Sequence, residues 1–291
     1  MTRAIHFISG YPRSGSTLLA AILRQNPAIH AGMSTGCGPI VAQAISSMGA
    51  NHEYSSSISR QQRAAIVRGI IEGFYVERAD KPVIFDTNRL WCSRLPLIDQ
   101  IFPEARVIAC VRDLAWVIDS VERLVRREPL IASRMFTPET AMNVFTRVEH
   151  IAGPRGLVGF PAGCVQEAYF GEFSRKLIVV DYDVLTAQPE ATMAFIYHHL
   201  GLPAFAHDFD NVEYDGGAEF DAQFGMPDLH RVRRKVERQA RRTVLPPELF
   251  SRHSGKTWWR DRQRAATLAQ VIAPPANQRP MPMTAPAEIA G

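Results

Sequence analysis

Cysteine is scarce in this chain: four in 291 residues, at Cys37, Cys92, Cys110 and Cys164. They lie far apart and form no C-x-x-C pair, which argues against a zinc ribbon, a redox dithiol or a disulfide scaffold. A reducing cytoplasm is the simplest compartment for such a chain, and no metal is expected. No apolar run is long enough to span a bilayer. The first strand-like run starts within a few residues of Met1, which leaves no room for a signal peptide. Charge imbalance is small as well. A net charge of +4 and a pI near 9.0 suit an anionic small ligand, and neither a nucleic-acid nor a membrane partner is expected. No internal repeat is visible. At 46% hydrophobic residues the chain can bury a sizeable core. Residues 1–272 read as one domain, and 273–291, with five prolines and few aromatics, as a disordered tail.

One further absence shapes the reading. Ile5-His6-Phe7-Ile8-Ser9-Gly10-Tyr11-Pro12-Arg13-Ser14-Gly15-Ser16-Thr17-Leu18-Leu19 is a strand, a Gly/Pro/Ser turn and a helix start in series. The first N–H groups of a helix lack internal partners and carry the positive end of its dipole, so such a turn cradles an anion. Gly10, Gly15 and Thr17 have Walker A spacing, but the Lys expected before Thr17 is Ser16. The cation of the loop is Arg13, earlier in the turn.

Three apolar strands are expected besides the first: Val83–Asp86, Arg106–Val111 and Leu177–Asp181. Helices are expected over 17–25, 40–48, 61–77, 91–102, 114–127, 138–152, 164–175 and 190–200. Ile29–Pro39 reads as a loop passing the anion site, and 204–227 as another loop. Asp228–Arg242 reads as a basic helix with Val232, Val236 and Ala240 four apart. Such a run is first a solvated face; the alternative is an electrostatic collar for an anion. A short polar helix is expected after Trp258-Trp259. Strands alternating with helices behind a phosphate-type loop imply an α/β fold, a P-loop NTPase-like parallel sheet flanked by helices with a helical C-terminal region.

Pro12-Arg13-Ser14-Gly15-Ser16-Thr17 resembles the 5′-phosphosulfate loop of sulfotransferases that use 3′-phosphoadenosine 5′-phosphosulfate (PAPS). Val107–Asp113 with Ser120 resembles their 3′-phosphate motif, an Arg at a strand end and a Ser eight residues later. Val180–Leu185 with Pro189 and His199–Pro203 is similar to a third family signature, in which the Tyr borders the adenosine. The resemblance covers about Ile5 to Pro203 and is nearest the bacterial and tyrosylprotein branch.

It implies that Arg13 and the N–H groups of Ser14, Gly15, Ser16 and Thr17 hold the phosphosulfate. Arg112 and Ser120, with Arg123 a turn further on, hold the 3′-phosphate, and Tyr182 borders the adenosine. The reaction implied is metal-free transfer of a sulfuryl group from PAPS to a hydroxyl or phenol, releasing 3′-phosphoadenosine 5′-phosphate (PAP). The family's Glu base and a Lys are missing here, at the Met33–Thr35 segment and at Thr87. His30 and Asp86 are the candidates for the base, and Arg89 for the Lys. The rival readings are a nucleotide kinase or ATPase, with Asp86 closing a Walker-B-like strand, and a non-catalytic nucleotide-binding protein.

Overall fold

A computed structural model describes residues 3–261 and 267–274. Most of the expected tail, and most of the polar helix after Trp259, lie outside them. The first half of the chain runs β1 (Ala4–Gly10), α1 (Ser16–Leu23), β2 (Ile29–His30), α2 (Cys37–Ser47), α3 (Arg60–Phe74), β3 (Val83–Thr87), α4 (Leu95–Ile101), β4 (Val107–Val111) and α5 (Leu114–Arg127). Then come α6 (Pro138–Ala141), α7 (Val144–Ala152), α8 (Gly159–Phe170), β5 (Leu177–Asp181), α9 (Tyr182–Ala187), α10 (Pro189–Leu200), α11 (Ala218–Phe224), α12 (Pro247–His253) and β6 (Gln270–Ile272).

The strands form one parallel sheet in the order β2-β3-β1-β4-β5-β6. The apolar runs are continuous because both faces are covered, and alternate residues serve different layers. Phe7, Ile84, Ala109 and Val179 face the layer that holds α2 to α5, α7 and α8. Ile8, Phe85, Cys110 and Val180 face α1 and α10. β1 lies between β3 and β4, where the chain switches from building one side of the sheet to the other. Ligands of open α/β sheets bind at the carboxyl ends of strands at such a point.

Departures from the expected elements have local causes. The helix expected over 138–152 divides because Asn143 caps the N–H groups of Phe145 and Thr146 and starts a new helix there. The one expected over 91–102 opens as a 3-10 turn, Arg89–Arg94, before α4. The one expected over 164–175 runs Gly159–Phe170 and stops before Gly171. α9 forms because Asp181 caps the Asp183 N–H. β2 and β6, two and three residues long, are edge strands too short to show a pattern. Part of the 204–227 loop is the helix α11.

The basic helix expected over 228–242 does not form. The segment is extended: Val212 N–H donates to the Arg234 carbonyl (2.7 Å) and Val236 N–H to the Phe209 carbonyl (2.8 Å). A helix would have stacked Arg231 on Lys235, Arg234 on Arg238, and Arg238 on Arg242, like charges four apart that destabilise it. Extended, the segment spreads those charges, and Val236 is still buried. Among the described residues no helix is long and apolar enough to cross a membrane.

Candidate active site

A cavity of about 1220 Å³ opens at the carboxyl ends of β1, β4 and β5, with the 229–243 segment as its outer wall. Among the described residues, twelve Arg and Lys side chains line it against three acids, Asp113, Asp183 and Glu237. An imbalance of that kind, focused by low-dielectric walls, concentrates anions.

The floor is the β1–α1 turn. Gly10 has φ +111°, and a Cβ there would lie 2.1 Å from the Cys110 carbonyl oxygen, so only glycine fits. Gly15, at φ +95°, precedes α1 with no side-chain cap, and the first turn of α1 holds no acid. The N–H groups of that turn therefore face the cavity without a competing side-chain acceptor. Ser16 and Thr17 line the cavity. Ser14 does not: its hydroxyl is buried within reach of the Tyr11 (2.5 Å) and Cys110 (2.8 Å) carbonyls and holds the turn to β4. Arg13 adopts a left-handed backbone, φ 58°, a strained conformation for a residue with a side chain. Its Nε donates to Ser120 Oγ (3.1 Å) and its Nη1 to the Leu229 carbonyl. Burial lowers its pKa; Tyr182 opposes that shift and Arg112 adds to it.

Beside this turn, the Arg112 guanidinium stacks on the Tyr182 ring, 4.1 Å from its centroid, and Tyr182 packs beneath Gly15. Buried Asp119, inside α5, accepts from Arg123 (3.0 Å), Arg241 (2.9 Å), the Thr243 hydroxyl (2.9 Å) and the Val244 N–H (2.7 Å). One carboxylate thus moors the basic segment to α5. Arg123 also donates to the Arg242 carbonyl. The Arg241 pKa falls to about 10, mainly through burial and then through Arg112, with Asp119 opposing. The Nε atoms of Arg112 and Arg241 are buried and find no hydrogen-bond partner among the described residues. Arg233, Arg238 and Arg242 line the cavity with no acidic partner among the described residues. The run is still a solvated face, since Arg231, Arg233, Arg234, Lys235, Arg238 and Arg242 are exposed, and it is at the same time one wall of the cavity.

Arg89 and Ser34 also line the cavity. The two candidate bases do not. His30 is half-buried on the edge strand β2, with its ring edge-on to Tyr75 at 5.6 Å. Burial, then Arg78 and Arg24, lowers its pKa. Asp86 is fully buried and accepts from Thr35 Oγ1 (2.6 Å), Tyr75 OH (2.5 Å) and Trp91 Nε1 (2.6 Å). Burial raises its pKa against those three hydrogen bonds. It holds the 33–35 loop, and so Ser34, in place.

Sequence reasoning missed His230 and did not single out Arg241 as a site residue; both line the cavity. The collar alternative pointed at Arg241; nothing local pointed at His230. Among the described residues no cluster of acids, histidines and cysteines could hold a metal ion.

A profile described as "Sulfotransferase family" matches residues 6–207. Among solved structures, the sulfotransferase domain from the curacin biosynthetic pathway superposes with a TM-score of 0.55 at 13% identity, covering 87% of this chain and 96% of that one. The sulfotransferase domain of the Synechococcus PCC 7002 olefin synthase gives 0.46 at 18% identity, over 80% and 85%. A sulfotransferase from Alicyclobacillus acidocaldarius gives 0.43 at 15%, over 77% and 90%. Curated proteins gave no sequence match.

Proposed function

The chain belongs to the sulfotransferase family, and from that premise we propose that it transfers a sulfuryl group from PAPS to a hydroxyl or phenol, releasing PAP. The observation that carries the donor assignment is the pair of buried, unpartnered guanidinium nitrogens of Arg112 and Arg241. Both residues line the cavity that also holds the uncapped start of α1. Orphaned buried donors are costly unless a ligand satisfies them, and arginines beside a helix start suit a nucleotide with phosphate at both 5′ and 3′ positions. PAPS would supply an activated sulfate on a phosphate leaving group.

The protein's part is positioning and electrostatics. The N–H groups of Gly15 to Thr17 and the Arg13 guanidinium hold the phosphosulfate and oppose the charge that builds on its oxygens. Arg112, Ser120 and Arg241 bind the 3′-phosphate, with Arg123 keeping Asp119 and the basic segment in place. Tyr182, already stacked under Arg112, borders the adenosine. Arg89 faces the sulfate end. The nucleotide-kinase reading loses ground because Ser16 stands where its Lys would be and Asp86, its metal-holding acid, is spent on three hydrogen bonds away from the cavity.

Isothermal titration with PAP, ADP and ATP, followed by PAP release from PAPS in EDTA, tests the proposal. PAP should bind at least about 10-fold more tightly than ADP, given ~1.5–3 kcal/mol for each charged hydrogen bond. Equal affinities, or activity abolished by EDTA, would refute it.

A further inference from the structure

The cavity holds one more pair of groups, on α11 and the turn that follows it. Asp221 is buried, 3% exposed, and spends both oxygens on one residue. Oδ1 meets His230 Nδ1 at 2.5 Å and Oδ2 accepts the His230 N–H at 2.8 Å. The imidazole is thereby clamped at two points. A carboxylate at Nδ1 fixes the proton there and leaves the Nε2 lone pair free. Nε2 takes no protein partner among the described residues, and the side chain, 14% exposed, lines the cavity.

The position of this pair matters as much as its geometry. The Leu229 carbonyl, one residue before His230, is tied to Arg13 Nη1, and Asp221 is close enough to raise the Arg13 pKa. The imidazole therefore sits at the Arg13 end of the cavity. Its other charged neighbours are Arg231 and the Arg127–Asp228 pair. The surrounding wall is apolar. Phe220 stands edge-on to the imidazole at 5.6 Å and stacks on Phe224 at 5.8 Å, and Leu229, Met135 and Leu157 complete it.

We infer that His230, oriented by Asp221, is the base that takes the acceptor's proton, and that the apolar wall beside it receives an acceptor with an uncharged, apolar body bearing the hydroxyl. This rests on the sulfuryl-transfer reading above. As the acceptor oxygen bonds to sulfur, the bond from sulfur to the 5′-phosphate oxygen breaks and its electron pair leaves with PAP. The acceptor's proton passes to His230 Nε2. The resulting imidazolium is paired with Asp221 and returns its proton to water.

His230→Gln, assayed by PAP release with 4-ethylphenol, 4-nitrophenol or water alone as acceptor, tests this. Removing a general base costs about 100- to 10,000-fold. That loss should appear with 4-ethylphenol and with water. It should be at least about 10-fold smaller with 4-nitrophenol at a pH where that phenol is already ionised. PAP affinity, by calorimetry, should stay within about threefold of wild type. Phe220→Ala should raise KM for 4-ethylphenol and leave PAP affinity alone. In wild-type protein with ¹⁵N-labelled histidine, neutral His230 should carry its proton on Nδ1, a readout independent of any variant's folding. Equal losses for both phenols, wild-type turnover in His230→Gln, or the Nε2-protonated tautomer would each overturn the inference. Failure of wild type to prefer PAP over ADP would instead overturn the sulfuryl-transfer reading.

Discussion

Arg112→Ala tests the proposed 3′-phosphate site. In the protein as it stands, the Arg112 guanidinium is stacked on Tyr182 and its Nε is buried without a partner. It also crowds Arg13 and Arg241, lowering the pKa of each. With PAP bound, Arg112 would gain a charge-assisted bond worth ~1.5–3 kcal/mol, and a tenfold change in affinity is ~1.4 kcal/mol. The substitution should therefore weaken PAP by about 10- to 150-fold and leave ADP, which has no 3′-phosphate, nearly unchanged. Without ligand two effects oppose. Losing the stacked cation costs ~0.5–2 kcal/mol, while relief of like-charge crowding and of the orphaned Nε stabilises. The apo melting temperature should move little, and the extra thermal stability conferred by saturating PAP should shrink. Calorimetry with both nucleotides, and melting curves with and without PAP, measure this. A parallel loss for PAP and ADP would show that Arg112 reads something common to both, and the 3′-phosphate assignment would fall.

Three other perturbations have defined outcomes. Gly10→Ala forces a Cβ to 2.1 Å from the Cys110 carbonyl, so β1 and β4 must part; soluble expression or cooperative melting like wild type would contradict that geometry. Burial, aided by Arg106, lowers the His6 pKa from 6.5 to about 4. Below pH 6.5 the unfolded chain binds a proton that the folded chain refuses. Stability is thus fully present above pH 6.5 and falls as pH drops toward 4, by about 3 kcal/mol at the ~1.4 kcal/mol per pH unit set by linkage. Urea titrations across that window should show a slope that His6→Gln flattens. Asp119→Ala leaves Arg241 and Arg123 without their shared carboxylate. Breaking a buried pair costs ~3–5 kcal/mol, and limited proteolysis within 233–242 should accelerate; an unchanged cleavage pattern would mean that the segment is moored elsewhere.

The elements legible in the sequence are those whose causes are local. The β1–α1 turn announces itself because the left-handed glycines, the small residues and the missing Lys all lie within a few positions. β3, β4 and β5 are visible because a strand covered on both faces must be continuously apolar. α5 is bounded by Asp113 at its start and Glu128-Pro129 at its end. Arg112 and Tyr182 could be placed because each ends or follows such a strand, and parallel strands bring their carboxyl ends to one edge. Tertiary structure decided the rest. Asp86 has a site-like position at the end of β3, yet Thr35 from a distant loop, with Tyr75 and Trp91 from the segments before and after β3, turns it into a buried anchor. Residues 228–242 have helical spacing, but their like charges repel at that spacing, and Asp119, more than a hundred residues earlier, holds them extended across the cavity. His230 becomes a candidate base only because Asp221 clamps its ring and the Arg13–Leu229 contact brings it to the β1–α1 turn. The Asp221–His230 clamp is local, nine residues apart, but the Arg13–Leu229 contact that gives it a place in the cavity spans 216 residues.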